Sequence, residues 1–106
     1  MDAIQKTRYE ARAEIIKALA HPTRLAVVDE LADKGDRSVS ELAELVNGEM
    51  STVSRHLAVL KNAGILEDER RGNTVFYRLR VPCIVNFFGC VESVLKSNFQ
   101  QTQAVC

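Results

Sequence analysis

Three cysteines, Cys83, Cys90 and Cys106, stand in the last quarter of the chain, and the first three quarters hold none. Thiolates are soft donors that take arsenite, antimonite or soft metal cations. They also oxidise, or bridge through persulfides. An odd count without a secretory signal does not suggest a disulfide framework. The competing reading makes these residues small apolar fillers of a packed face. A second constellation lies mid-chain, where Ser51, Thr52, Ser54, Arg55 and His56 crowd together. Hydroxyls donate to phosphates or base edges, arginine pairs with guanine in bidentate fashion, and histidine contacts either. A third group, Arg70, Arg71, Asn73 and Thr74, surrounds Gly72. No phosphate-cradling glycine loop appears, and His21 and His56 have no evident nucleophile partner. The chain therefore does not read as an enzyme, and nothing in it calls for an obligatory cofactor.

The charge distribution agrees with a polyanion partner for the middle of the chain. Formal net charge is zero over 106 residues, but residues 1–50 carry a net −3 and residues 51–80 a net +3. Elements that face phosphate belong in that basic stretch. Hydrophobic content of 46% with 26% charged residues is an ordinary globular composition, and the length suits one domain. No stretch is long and apolar enough to span a membrane, and the polar start lacks a signal-peptide core. The expected location is the cytoplasm, with no membrane partner.

The elements that must position these groups follow from periodicity. Ile4, Ala11, Ile15 and Leu19 share one face of a first helix. Pro22 opens a second, with Leu25, Val28, Leu31 and Ala32 inward and Gly35 as its stop. Ser38 with Glu41 has capping-box spacing for a third, whose inner face is Leu42, Leu45 and Val46. Asn47-Gly48 breaks it. A fourth helix runs from about Met50 to Ala63 with Val53, Leu57 and Leu60 inward. Its N-terminal end exposes the Ser/Thr/Arg/His group, and Glu49 stands where it would either cap the helix or repel phosphate. Ile65–Arg70 and Thr74–Arg80 read as strands joined by a Gly72-Asn73 turn. Pro82 opens a last helix to about Asn98, and the polar tail from Phe99 is expected to fray.

Helices followed by a basic hairpin and a closing helix give a mainly α, α+β fold: a single winged helix-turn-helix domain. The helix-turn-helix covers about 39–63, the wing about 65–80 and the last helix about 82–98. The second helix of the pair is the one that enters a major groove. A winged-helix protein-interaction module with structural cysteines is the rival reading.

Four segments then carry a specific likeness: Leu19-Ala20-His21-Pro22-Thr23-Arg24-Leu25, Ser38-Val39-Ser40-Glu41-Leu42-Ala43, Ser51-Thr52-Val53-Ser54-Arg55-His56-Leu57 and Gly64-Ile65-Leu66. Over about residues 10–98 the chain resembles the ArsR/SmtB family of winged-helix repressors, which sense metals, metalloids or thiol-reactive species. The resemblance implies a homodimer joined through its first and last helices. It also implies a pseudo-palindromic double-stranded operator, with half-sites about one helical turn apart, and release when an inducer binds. One inducer site of the family places a Cys-x-Cys pair where this chain has Ser38 and Ser40, which are poor ligands for soft ions. Another uses Asp and His on the last helix; the matching positions here are Val81, Cys83, Val94 and Ser97, which do not make a four-ligand zinc site.

Cys83 and Cys90 remain, seven residues apart on the expected last helix. They would lie about 10 Å apart along its axis, too far to bridge within one straight helix. Across an antiparallel pair of last helices they would meet, with Cys106 as a third ligand or an exposed thiol. That arrangement suits As(III), Sb(III) or a soft cation as inducer, and equally a redox or persulfide signal. Against it stand two apolar stripes, Ile84/Phe88/Val91/Leu95 and Cys83/Phe87/Cys90/Val94, of which one should face the subunit and one its partner.

Overall fold

A computed structural model of the chain describes residues 1–105. Helix α1 (Ala3–Leu19) starts on a reciprocal cap: the Asp2 carboxylate accepts the Gln5 N–H, and the Gln5 side chain accepts the Asp2 N–H. Helix α2 (Pro22–Lys34) is capped by His21, whose Nδ1 accepts the Thr23 N–H at 3.0 Å. Helix α3 (Val39–Val46) begins on the expected Ser38–Glu41 capping box. The chain then turns on Asn47 in the left-handed conformation (φ 53°, ψ 44°), which asparagine tolerates better than most residues. Helix α4 (Met50–Asn62) follows at once. Glu49 at its N-cap makes no side-chain capping bond.

The hairpin pairs β2 (Leu66–Arg71) with β3 (Thr74–Leu79), turning on Gly72 at φ 64°. A third strand, β1 (Arg37–Ser38), pairs antiparallel with β3, so the sheet order is β1-β3-β2. Two residues are too short to show an alternating pattern, which is why the sequence reads only a turn and a helix cap there. The sheet's two faces differ in kind. Tyr77 and Leu79 pack against the core. By the two-residue alternation of a strand, Glu67, Glu69 and Arg71 of β2 share the opposite face with their cross-strand neighbours Arg78, Phe76 and Thr74.

The core joins α2, α3, α4 and the start of β2: Val27, Val28, Leu31, Leu42, Val53, Leu57, Leu60, Ile65 and Leu66 are all buried. The helix-turn-helix is thus fixed by its own apolar faces, with α4 contributing Val53, Leu57 and Leu60 as expected. Other apolar positions depart from the expected pattern. Of the α1 face only Leu19 is buried; Ile4, Ala11 and Ile15 lie in solvent in the protomer, as do Leu25, Ala32 and Leu45.

Helix α5 (Ile84–Val105) also differs from expectation at both ends. Of its first stripe only Ile84 and Phe88 pack on the core, whereas Val91 and Leu95 are exposed, so the stripe meets the subunit over its first turns alone. The helix continues through the segment expected to fray. At its start, Pro82 and Cys83 form a turn, in which the Val81 and Cys83 carbonyls accept the Ile84 and Asn86 N–H groups at 3.1 Å each. Cys83 and Cys90 therefore do not share one helix. Among the described residues no helix is long and apolar enough to cross a membrane.

Candidate nucleic-acid interface

Burial of Val53, Leu57 and Leu60 turns the other side of α4 outward. Ser51, Thr52, Ser54 and Arg55 are exposed on it. None has a hydrogen-bond or ion-pair partner among the described residues. Four uncommitted donors on the first turns of a helix, projecting from a packed scaffold, are arranged to meet an external acceptor.

His56 is placed differently. It is half-buried, its Nδ1 accepts a hydrogen bond from Arg24 Nε at 3.1 Å, and its ring centre lies 4.3 Å from that of His21. The same guanidinium donates to the Ala18 carbonyl at 3.2 Å. Arg24 thus ties the end of α1 to α4. Burial, then the neighbouring His21 and the Arg24 charge, hold His56 below the ordinary imidazole range. The ring is neutral at pH 7, with its Nδ1 already engaged. The sequence groups His56 with the outward residues; the structure gives it an anchoring contact with α2 that no local pattern reveals.

The wing is less free than its sequence suggests. Arg70 is exposed and, among the described residues, donates only to the Gly72 carbonyl, at 3.2 Å. Asn73 and Thr74 are exposed at the tip. Arg71, by contrast, donates to Glu69 at 2.9 Å and to Asp36, and lies 4.7 Å over the Phe76 ring. Arg78 pairs with the same Glu69, with Asp36 at 3.8 Å and with Glu67 at 3.9 Å. The hydrogen bonds from Arg71 and Arg78 hold the Glu69 carboxyl below the usual range, and those to Glu69 and Asp36 raise Arg71. On the other side Lys61 bonds Asp68 at 2.9 Å. Much of the basic charge counted along the sequence is therefore paired within the chain.

Both described thiols are exposed, Cys83 in the turn before α5 and Cys90 on α5 itself. Cys106 lies outside the described residues. No cluster of three or more His, Cys, Asp or Glu side chains able to hold a metal forms within the described residues of one protomer. Helix α5 also exposes Phe87, Val91, Val94, Leu95 and Phe99, and α1 exposes Ile4, Ile15 and Ile16. Of these, Ile16, Phe87 and Val91 line an apolar groove of about 340 Å³ between α1, α2 and α5, with Leu19, Leu25 and Phe88. At its rim, burial and the nearby Glu92 push the Asp29 carboxyl up.

A family described as "Helix-turn-helix domain" matches residues 19–69. The chain is 38% identical over 88 residues to the uncharacterized HTH-type transcriptional regulator Rv0081 of Mycobacterium tuberculosis, covering 82% of this chain and 76% of that one. The crystal structure of Rv0081 superposes with a TM-score of 0.77 at 31% identity, over 96% of this chain and 98% of that chain. The homodimeric winged helix-turn-helix DNA-binding domain of Mb0332 from Mycobacterium bovis, described as a possible ArsR-family regulator, gives 0.79 at 28% identity over 95% and 93%. The AntR antimony-specific transcriptional repressor gives 0.76 at 29% identity over 94% and 90%.

Proposed function

The chain belongs to the ArsR/SmtB family of winged helix-turn-helix transcriptional repressors, and from that premise we propose that it is an operator-binding repressor released by a thiophilic inducer. Likeness to the homodimeric DNA-binding domain of Mb0332 supports DNA binding and dimerisation. The observation that carries the reading is the uncommitted outer face of α4: Ser51, Thr52, Ser54 and Arg55 are exposed and unpartnered, whereas every apolar residue that holds the helix is buried. In this reading Arg55 reads a guanine edge, the hydroxyls bond phosphates or bases, and Arg70, Asn73 and Thr74 meet the backbone beside them. The operator is pseudo-palindromic double-stranded DNA, matching a two-fold dimer.

The apolar faces of α1 and α5 supply the dimer interface. They leave more large hydrophobic side chains in water than an isolated small domain carries without a partner. Cys83 and Cys90 are exposed, so neither fills the subunit core. One protomer offers too few described donors for a soft ion, and an As(III) or Sb(III) site would draw thiolates from both, with Cys106 as a candidate third. Likeness to an antimony-specific repressor supports this inducer class. The same exposed thiols suit oxidation or persulfide bridging, which stays the second reading.

The test is fluorescence anisotropy on a duplex from the promoter upstream of the protein's own gene. Arsenite under reducing conditions is expected to release the DNA. Replacing Cys83 and Cys90 by Ser should preserve binding and abolish release. Release by an oxidant or persulfide donor alone would favour the second reading. Binding that none of these loosens would remove the inducer site and leave the repressor.

A further inference from the structure

The wing's outer face contains an ion-pair network whose members come from two separate parts of the chain. Glu67, Glu69, Arg71 and Arg78 belong to the hairpin, but Asp36 belongs to the short connection between α2 and α3. Strand β1 ends its pairing with β3 at the Arg37–Tyr77 and Ser38–Phe76 steps, so the outer hairpin beyond Phe76 has no third strand beside it. By that register Asp36, one residue before Arg37, lies on the base side of β1 level with Arg78, and the Arg71 side chain reaches back to it from beside the Gly72 turn: the Asp36 carboxylate bonds Arg71 and lies 3.8 Å from Arg78. Arg71 is held from its other sides by Glu69 at 2.9 Å and by the Phe76 ring beneath it.

We propose that Asp36 is a positioning residue for DNA binding, a strut that fixes the wing tip relative to the helix-turn-helix. The connection carrying Asp36 runs directly into the Ser38 cap of α3. The strut therefore links the wing to the first helix of the reading pair through a few residues of chain. Its effect is to keep Arg70, Asn73 and Thr74 at a set distance from the α4 donors, so that both engage one duplex without a further ordering cost. The Asp36 carboxylate serves geometry, because an acidic side chain near a phosphate-binding surface otherwise weakens binding.

That opposition of signs makes the inference testable, and it rests on the DNA-binding reading above. Removing an anion alone should tighten DNA binding. Removing a strut should loosen it. For Asp36→Asn we expect operator affinity to fall about three- to tenfold, with a salt dependence shallower by about one unit as a wing–phosphate contact is lost. Amide hydrogen exchange at residues 70–75 of the free protein should accelerate, and Asp36→Glu should restore both readouts. In an Arg71→Gln background, Asp36→Asn should add little. Equal or tighter DNA binding by Asp36→Asn overturns the proposal, whatever exchange does. If the wild-type protein fails to bind the duplex, the DNA-binding reading falls; unchanged exchange at 70–75 would then overturn the strut separately.

Discussion

Replacing His56 by Ala separates an anchoring role from a DNA-contacting one. The substitution removes the acceptor for Arg24 Nε and the ring that lies 4.3 Å from His21. A hydrogen bond from a charged donor contributes about 1.5 kcal/mol at a half-buried position. The ring contact adds about 0.5–1 kcal/mol. The variant should therefore lose about 2 kcal/mol, a large part of the roughly 5–15 kcal/mol typical of a small domain. Urea unfolding at fixed protomer concentration measures it, because dimerisation makes the midpoint depend on concentration. The pH dependence gives a second arm. His56 is held below its ordinary value of 6.5 in the folded protein, so on acidification the unfolded chain takes up its proton first. The unfolded state then binds more protons, and stability falls with pH from near 6.5 downward until the folded ring also titrates. His56→Ala should flatten that component of the profile. A loss below about 0.5 kcal/mol, an unchanged acid limb, and a weaker salt dependence of operator binding would together refute the anchor and return His56 to the DNA-contacting set.

Two further predictions concern the reading face and the interface. Arg55→Ala should weaken operator binding by about 1–3 kcal/mol and relax the preference at one base position while leaving the unfolding midpoint unchanged; selection from a randomised operator library reads the preference directly. Val94 and Leu95 are 58% and 56% exposed in the protomer, so Val94→Asp with Leu95→Asp should leave its core intact and bury charge only in a dimer. Sedimentation velocity should show a monomer, or a dimer weakened at least tenfold, whereas an unaltered dimer would place the interface elsewhere.

The helix-turn-helix was legible because its signals are local. Val53, Leu57 and Leu60 repeat at helical spacing, Ser38 and Glu41 form a cap within one turn, and Asn47-Gly48 supplies the break; each appears in the fold where the sequence puts it. The long-range features were not legible. Nothing near His56 announces Arg24, thirty-two residues earlier, as its partner. Nor does the hairpin announce that Asp36 neutralises Arg71, so the count of basic residues overstates what the wing offers to DNA. Of the expected stripes only Leu19 on α1 and Ile84 and Phe88 on α5 meet the subunit core, Cys83 falls outside α5, and a stripe does not tell which molecule covers the rest.

The position of Cys83 has the largest consequence for mechanism. Placed on the last helix, as its spacing from Cys90 suggests, it would report only on the contact between two such helices. In the turn before α5 it lies at the joint between the wing and that helix. Three residues upstream, the Arg80 N–H bonds the Ile65 carbonyl at 2.9 Å and its guanidinium bonds the Gly64 carbonyl at 3.1 Å. Those carbonyls belong to the short connection between α4 and β2. If the thiols are the inducer site, a ligand that draws Cys83 toward a partner thiol pulls on a short segment that ends at the reading helix. Typical coupling between such sites is about 1–3 kcal/mol, about the strength of one or two of the hydrogen bonds at this joint. Arg80→Ala should then keep thiol binding of arsenite while weakening the release of DNA. Release undiminished in that variant would mean that the signal travels instead through the dimer contact of α5.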